Sequence, residues 1–346
     1  MADRVLLTGI SGFLGGHVAL KLLEAGYIVR GSVRRLEKAD KVRATLAAAG
    51  ADVSRLEFVA LDLLSDDGWA DAMQDVRYLQ HTASPFVMAM PDDKMELIRP
   101  AVDGTRRALH AAFTSGVERV VLTSSMAAIQ YGHAADRTAP FTAADWTDLS
   151  GRDVTAYVES KTRAEREAWT IAESFGRSAD LAVINPSAIF GPLLDEDPGT
   201  SVGLLKRLLD GSVPVAPRIY LSMIDARDVA ELHLKAMTTP EAGGQRFPSA
   251  GPTESMLAIA DTLRSAFPAF GKKLPRIQAP DWLLRLVALF DKDIRSNLGE
   301  LGVVKRVDPT AAEGLLGHPL ISNPEMLRAS VDSLIAQGLV TPPAER

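Results

Sequence analysis

The sequence predicts an α/β fold, a Rossmann-type doubly wound parallel sheet with a smaller C-terminal substrate lobe. Three observations lead there. Short β-rich runs alternate with longer helical patterns through the first half of the chain, the alternation that builds a parallel sheet with helices on both faces. A glycine-rich turn, TGISGFLG, stands between the first strand pattern and the first helix pattern. After Pro186 the alternation loosens into Gly- and Pro-rich segments, GPLLDEDPGT, GSVPVAPR and AGPTES, set between separate helical stretches.

In chain order, the first strand reads Arg4–Thr8, followed by a helix from about Phe13 to Glu24 and a second strand at Ile28–Val33. Further strands are expected at 56–61, 78–83, 117–124 and 181–185, with helices near 38–49, 95–115 and 155–175. A strand and helix near 219–236 are expected to return to the main sheet. The expected division is a dinucleotide-binding unit of 1–187 and 219–248, and a substrate-binding lobe of 188–218 and 249–346.

Composition narrows the functions. With 47% apolar and 24% charged residues in 346, the chain can bury a sizeable core. Lys and Arg number 38 against 44 Asp and Glu, a net charge of -6, and no basic stripe interleaves with aromatics, so nucleic acid is not an expected partner. The absence of cysteine excludes thiol nucleophiles, disulfides and Cys-ligated zinc, and the 6 histidines show no paired metal spacing. The longest later apolar run, 282–290, contains Arg285 and is too short to span a bilayer. The opening MADRVLLTG has neither the charged start nor the long apolar stretch of a signal peptide. These features lead to the expectation of a soluble cytoplasmic protein, monomer or homodimer, without membrane or metal.

Gly9, Gly12 and Gly15 permit a tight turn and a close backbone approach to a pyrophosphate, whose charge the free N–H groups of the helix start would meet. The turn as a whole, with Ser11, Phe13 and Leu14, is therefore assigned to a dinucleotide. The second strand should end in a carboxylate if the ribose 2′-hydroxyl is to be held. It ends instead in Gly31-Ser32-Val33-Arg34-Arg35, with Lys38 one turn on. Arg34 and Lys38 thus point to a 2′-phosphate, and to NADPH/NADP rather than NAD. Asp62 and Leu63, at the end of the third strand, are placed to meet the adenine.

Downstream of Thr123-Ser124-Ser125, the run Tyr157-Val158-Glu159-Ser160-Lys161 lies in a helical pattern. A spacing of four puts Tyr157 and Lys161 on one helix face, where an ammonium can act on a phenol. Free phenols ionise near ~10, and a neighbouring cation typically brings that down by ~1 to 3, which makes such a pair fit for acid–base work near neutral pH.

With these residues in place, the sequence resembles the extended short-chain dehydrogenase/reductase family, and within it the dihydroflavonol-reductase-like branch of NADPH-dependent aldehyde and ketone reductases. The resemblance runs through TGISGFLG, RGSVRR, HTASPF at 81–86, PAVDGTRRAL from Pro100, VVLTSSMAA from Val120, YVESKT, INPSAIFGP from Ile184 and DARDVA from Asp225. It implies a catalytic set of Ser125, Tyr157 and Lys161, Ser125 being the last of its polar run and Ser124 the alternative. It also implies cofactor contacts from Ala83, Ser84, Pro85 and Thr123, and places Asn185, Pro186 and Ser187 beside the nicotinamide. Five residues after Ser125, at the position that reads the substrate's aromatic hydroxyls, plant flavonoid reductases carry Asn and this chain carries Gln130.

Phe86 and Phe190, with Met88, Met90, Ile129 and Leu193, are expected to wall an apolar substrate pocket. His81 reads as a structural histidine, and Asp225 and Asp228 as helix-start caps. The expected function is reduction of a bulky apolar or aromatic aldehyde or ketone to the alcohol with NADPH, the carbonyl compound being the small-molecule partner. A nucleotide-sugar epimerase or dehydratase of the same family would prefer an acidic residue where Arg34 stands. A catalytically silent NADP-binding protein would not need to keep the Tyr/Lys pair.

Overall fold

The structure is a computed structural model and describes residues 2–84, 93–134, 136–289 and 298–343. Strand β1 (Arg4–Thr8) is apolar in its middle three positions, each fully buried, as expected for a strand covered on both faces. The strands after it are β2 (Ile28–Val33), β3 (Leu56–Ala60), β4 (Val76–His81), β5 (Arg119–Thr123) and β6 (Leu181–Pro186). Short strands follow: β7 (Ala188–Phe190), β8 (Tyr220–Leu221), β9 (Met223–Asp225), β10 (Arg246–Ser249) and β11 (Glu254–Ser255). Seven form one parallel sheet in the order β3-β2-β1-β4-β5-β6-β10. The order reverses between β1 and β4, and in open sheets of this kind ligands bind beyond the carboxyl ends of the strands at that point.

The helices are α1 (Phe13–Glu24), α2 (Ala39–Ala48), α3 (Trp69–Ala72), α4 (Met95–Thr114), α5 (Ala156–Ser174), α6 (Gly199–Asp210), α7 (Ala226–Thr238), α8 (Met256–Ala266), α9 (Asp281–Val287), α10 (Thr310–Leu316) and α11 (Asn323–Ala336). Period-two alternation sorts the strands' side chains into two cores. Val5, Leu7, Val121 and Ile184 face a layer that includes Val18 and Leu22 of α1 and Val229 of α7. Leu6, Leu79, Val120 and Val183 face Leu109 of α4 and Ala168 of α5. A third core, with Leu205 of α6, Ile259 of α8 and Val331 of α11, lies in the lobe.

One expectation needs correction. The strand near residue 219 does not join the main sheet: β8 pairs antiparallel with β11, and β9 pairs parallel with β7. Helix α7 does pack on the sheet, against α1, β5 and β6. The seventh strand is β10, the sequence RFPS, beside β6. It is too short to show a period, and Pro248 argues against a strand anywhere except at an edge, which is where β10 lies. Among the described residues no helix is long and apolar enough to cross a membrane, and no His, Asp and Glu cluster could hold a metal.

Candidate active site

The turn between β1 and α1 is shaped by what its glycines exclude. Gly9 has φ +76°, and a Cβ there would lie 2.9 Å from the Ala83 backbone. At Gly15 a Cβ would fall 2.0 Å from the Gly9 carbonyl oxygen. Gly12 caps the helix, its N–H donating to Gly9 O at 2.9 Å, and a Cβ there would meet only that oxygen, at 3.4 Å. The first turn of α1 carries no acid, so the helix itself sets no negative charge against an anion at its free N–H groups. Phe13 lies edge-on to His17 and Leu14 packs on the core, and Ser11 is exposed beside them.

At the end of β2, Val33 is buried and Arg34, Arg35 and Lys38 are exposed. Among the described residues none of the three has a carboxylate partner, whereas Lys41 nearby pairs with Glu196 at 3.0 Å. Uncommitted cations here suit a phosphate. After β3, Asp62 Oδ1 accepts from Leu64 N at 2.9 Å, and Leu63 is held through its carbonyl by Arg107 at 2.8 Å.

His81 is fully buried, with Nδ1 2.8 Å from Thr8 Oγ1, and burial, helped by the nearby Lys161 charge, lowers it to about 4. It is neutral near pH 7 and structural, as expected. Ala83 is half-buried above Gly9 and Ser84 is exposed. Thr123 turns its hydroxyl to His233 Nε2 at 2.9 Å, so only its remaining atoms are open to a ligand. Ser124 is buried and donates to Glu165, while Ser125 is half-buried and its Oγ accepts from Ala127 N at 3.1 Å. Of the two serines, Ser125 is the more accessible. Asn185 and Pro186 are buried at the end of β6, and the buried Asn185 Oδ1 and Ser187 Oγ have no hydrogen-bond partner among the described residues.

Helix α5 begins with Thr155 accepting from Val158 N. Tyr157 is 41% exposed, and one turn on the Lys161 ammonium donates to Ser84 Oγ at 3.1 Å. Behind Lys161 lies a cavity of about 20 Å³ bordered by His81, Ser84, Thr123, Lys161 and Glu165, room for a single water.

Gln130 is half-buried and lines a separate cleft of about 320 Å³ with Gly151, Arg152, Asp153, Val303 and Lys305. Its Oε1 is buried without a hydrogen-bond partner among the described residues. Phe190 does not serve as expected: at 1% exposure it belongs to the lobe core, against Leu205 and Met256. An aromatic in a three-residue strand at a lobe boundary has two faces to choose between, and the larger apolar volume wins. Pro85, Phe86, Met88 and Met90 lie outside the described residues. Asp225 caps α7 through Arg227 N at 2.8 Å, but Asp228 accepts from Ile321 N and caps nothing.

Sequence reasoning missed three neighbours of this site. Tyr131 lies under Lys305, whose Nζ is 3.7 Å from the ring centroid, and burial pushes its phenol well above the ordinary range. Glu165 and Arg246 form a buried ion pair behind Ser124. Glu165 alone had a signal, standing four residues after Lys161 on the same face.

Comparison with known proteins gives the following. The profile of the NAD dependent epimerase/dehydratase family matches residues 5–248. A ketoreductase of Aspergillus niger is 33% identical over 310 residues, covering 84% of this chain and 90% of that protein. An NADPH-dependent methylglyoxal reductase of Saccharomyces cerevisiae is 33% identical over 292 residues, covering 78% and 84%. The crystal structure of the yeast methylglyoxal/isovaleraldehyde reductase complexed with NADPH superposes with a TM-score of 0.79 at 26% identity, over 97% of this chain and 100% of that one.

Proposed function

The chain belongs to the NAD dependent epimerase/dehydratase family, the extended short-chain dehydrogenases/reductases, and from that premise we propose an NADPH-dependent reductase of aldehydes and ketones. The observation that carries the reading is the face of α5, which sets Tyr157 at the surface and joins Lys161 to Ser84 beyond the end of β4. Relatives named as ketoreductase and as NADPH-dependent reductase point the same way.

The residues present fit the cofactor. Gly9, Gly12 and Gly15 leave bare backbone at the start of an acid-free helix, and Arg34, Arg35 and Lys38 are uncommitted cations suited to a 2′-phosphate. Asp62 and Leu63 would lie by the adenine, and Ala83, Ser84, Thr123, Pro186 and Ser187 by the nicotinamide half. The orphaned Asn185 Oδ1 and Ser187 Oγ are buried acceptors that a carboxamide could satisfy. When bound, the reduced dinucleotide supplies the hydride.

The chain's own groups manage the proton. Tyr157 donates its phenolic proton to the carbonyl oxygen, and Ser125 hydrogen-bonds the same oxygen. Lys161 stands one helical turn on from Tyr157 on the same face, its ammonium held by Ser84. His81, neutral and bonded to Thr8, has no part in that transfer. We assign cofactor binding to the seven-strand unit and cover of the carboxyl strand ends to the lobe. The substrate is a bulky apolar or aromatic carbonyl compound, and Gln130 is its polar handle where it extends into the cleft that Gln130 lines with Arg152 and Lys305.

The test is a panel: oxidation of NADPH and NADH with aromatic and aliphatic aldehydes, ketones and a flavonoid ketone, beside binding of a nucleotide-sugar. Turnover of an aryl carbonyl with NADPH is expected. Tight binding of the nucleotide-sugar, with no carbonyl reduced, would contradict the reading.

A further inference from the structure

Helix α5 carries three functional side chains at four-residue intervals, Tyr157, Lys161 and Glu165. The face descends from solvent into the core: Tyr157 is 41% exposed and Glu165 is 1%. The proposed reduction uses the first two and leaves the third without a task.

Both oxygens of Glu165 are engaged. Oε2 accepts from the Ser124 hydroxyl and, at 2.7 Å, from Asn185 Nδ2; Oε1 accepts from Arg246 Nε and from Trp169 Nε1 at 3.4 Å. The same Asn185 Nδ2 reaches the Ser125 carbonyl at 3.3 Å. Glu165 therefore grips both residues of the turn that presents the Ser125 hydroxyl, Ser124 directly and Ser125 through Asn185. Apolar packing would join strand and helix without burying a charge. A carboxylate adds direction, and Arg246, itself stacked 3.8 Å from the Trp146 ring centroid, compensates its charge.

We propose that Glu165 is a positioning residue that sets the spacing between Ser125 and Tyr157, an inference that rests on reading those two side chains as the pair that meets the substrate carbonyl. Ser125 sits beyond β5 and Tyr157 on α5, so one carbonyl oxygen can be bonded by both only if strand end and helix keep a fixed distance. Glu165 is on the helix, and the partners of its Oε2, Ser124 and Asn185, are at the ends of β5 and β6. A weaker tie, Thr162 Oγ1 to Ala127 O at 3.4 Å, runs beside it. Glutamine at this position keeps the size but makes one oxygen a donor. If its oxygen stays with Arg246, its amide N–H faces Asn185, which must turn its own oxygen toward the Ser125 carbonyl, acceptor against acceptor.

The experiment compares the full-length parent with Glu165→Gln, reading kcat, carbonyl KM, NADPH Kd by fluorescence titration, the isotope effect with 4-deuterated NADPH, and the melting temperature. Positioning predicts a kcat lowered roughly 10- to 100-fold, KM and Kd within about threefold of the parent, and a larger isotope effect as the chemical step becomes limiting. Because Glu165→Gln leaves Arg246 unpaired, the double variant Glu165→Gln/Arg246→Met removes the stranded charge. It is expected to recover melting temperature but not kcat; recovery of both to about the parent's values would overturn the inference. If either variant fails to fold, Ser124→Ala leaves the Glu165–Arg246 pair intact and should lower kcat about fivefold with the same split, and an unchanged kcat would overturn it. A parent with no NADPH-carbonyl turnover sinks the proposed function instead. An active parent that loses turnover in Tyr157→Phe but not in these variants sinks this inference alone.

Discussion

The Lys161 ammonium donates to Ser84 Oγ at 3.1 Å, joining α5 to the segment after β4, the strand that stands beside β1 where strand order reverses. A lysine on a helix face would otherwise sweep through solvent; this bond fixes where its charge sits.

Replacing that partner should be felt in catalysis and not in folding. Ser84 is exposed, so Ser84→Ala is expected to leave the melting temperature within about 2 °C while lowering kcat/KM about tenfold, the value of one hydrogen bond to a charged group. Steady-state kinetics beside a thermal melt checks it, and unchanged kinetics would remove the bond from the account.

Cofactor choice follows from the end of β2. With Arg34, Arg35 and Lys38 uncommitted among the described residues, kcat/KM should favour NADPH over NADH at least about tenfold, because about 1.4 kcal/mol from one charge-assisted contact suffices. Arg34→Asp should abolish or reverse the preference. Equal efficiency with both cofactors in the parent would refute the assignment.

Gly15 tests the turn. An alanine Cβ there falls 2.0 Å from Gly9 O, so the turn must open, and Gly15→Ala is expected to weaken NADPH binding at least about tenfold. Fluorescence titration measures this. Parent-like affinity would mean that the backbone at this turn does not approach the pyrophosphate.

Acid should destabilise the fold through buried histidines. Burial lowers His81 to about 4 and His233 to about 3, against 6.5 for an exposed histidine. Below pH 6.5 the unfolded chain takes up both protons and the folded chain does not, so stability present at neutral pH is lost as pH falls toward 4. Asp228 opposes this: burial raises it from 3.8 to about 6, so the folded chain holds a proton there that the unfolded chain lacks. Burial lowers His17 as well, so near pH 5 the buried histidines outweigh Asp228 and stability falls with pH. Asp228→Asn removes the opposing proton and should steepen the fall in stability by up to about one proton's worth, measured by urea denaturation between pH 5.5 and 4.5. An unaltered slope would show that Asp228 is not protonated in the folded chain.

What the sequence made legible was whatever declares itself by period or by spacing. Six of the seven sheet strands, and the helices on both faces, followed from alternation, since strands buried on both sides have little choice but continuous apolar runs. The Gly9 turn, the Arg34 cluster and the Tyr157/Lys161 pair were legible because each is local. Three things were not. The strand RFPS of β10 has no period to read, and its place at the edge is set by tertiary pairing with β6. Phe190 looked like pocket lining because chain position cannot say which of two apolar volumes a side chain enters. The Glu165–Arg246 pair joins positions 81 residues apart, and a charged residue on a helix reads as solvated until the fold covers it.

The central claim is that Tyr157 gives the proton to the substrate's carbonyl oxygen, and Tyr157→Phe tests it most directly. Turnover of an aryl aldehyde with NADPH should fall by about 10² to 10⁴, the usual contribution of positioned proton transfer, while NADPH Kd by titration stays within about threefold of the parent. A Tyr157→Phe protein that keeps most of its turnover would contradict the account.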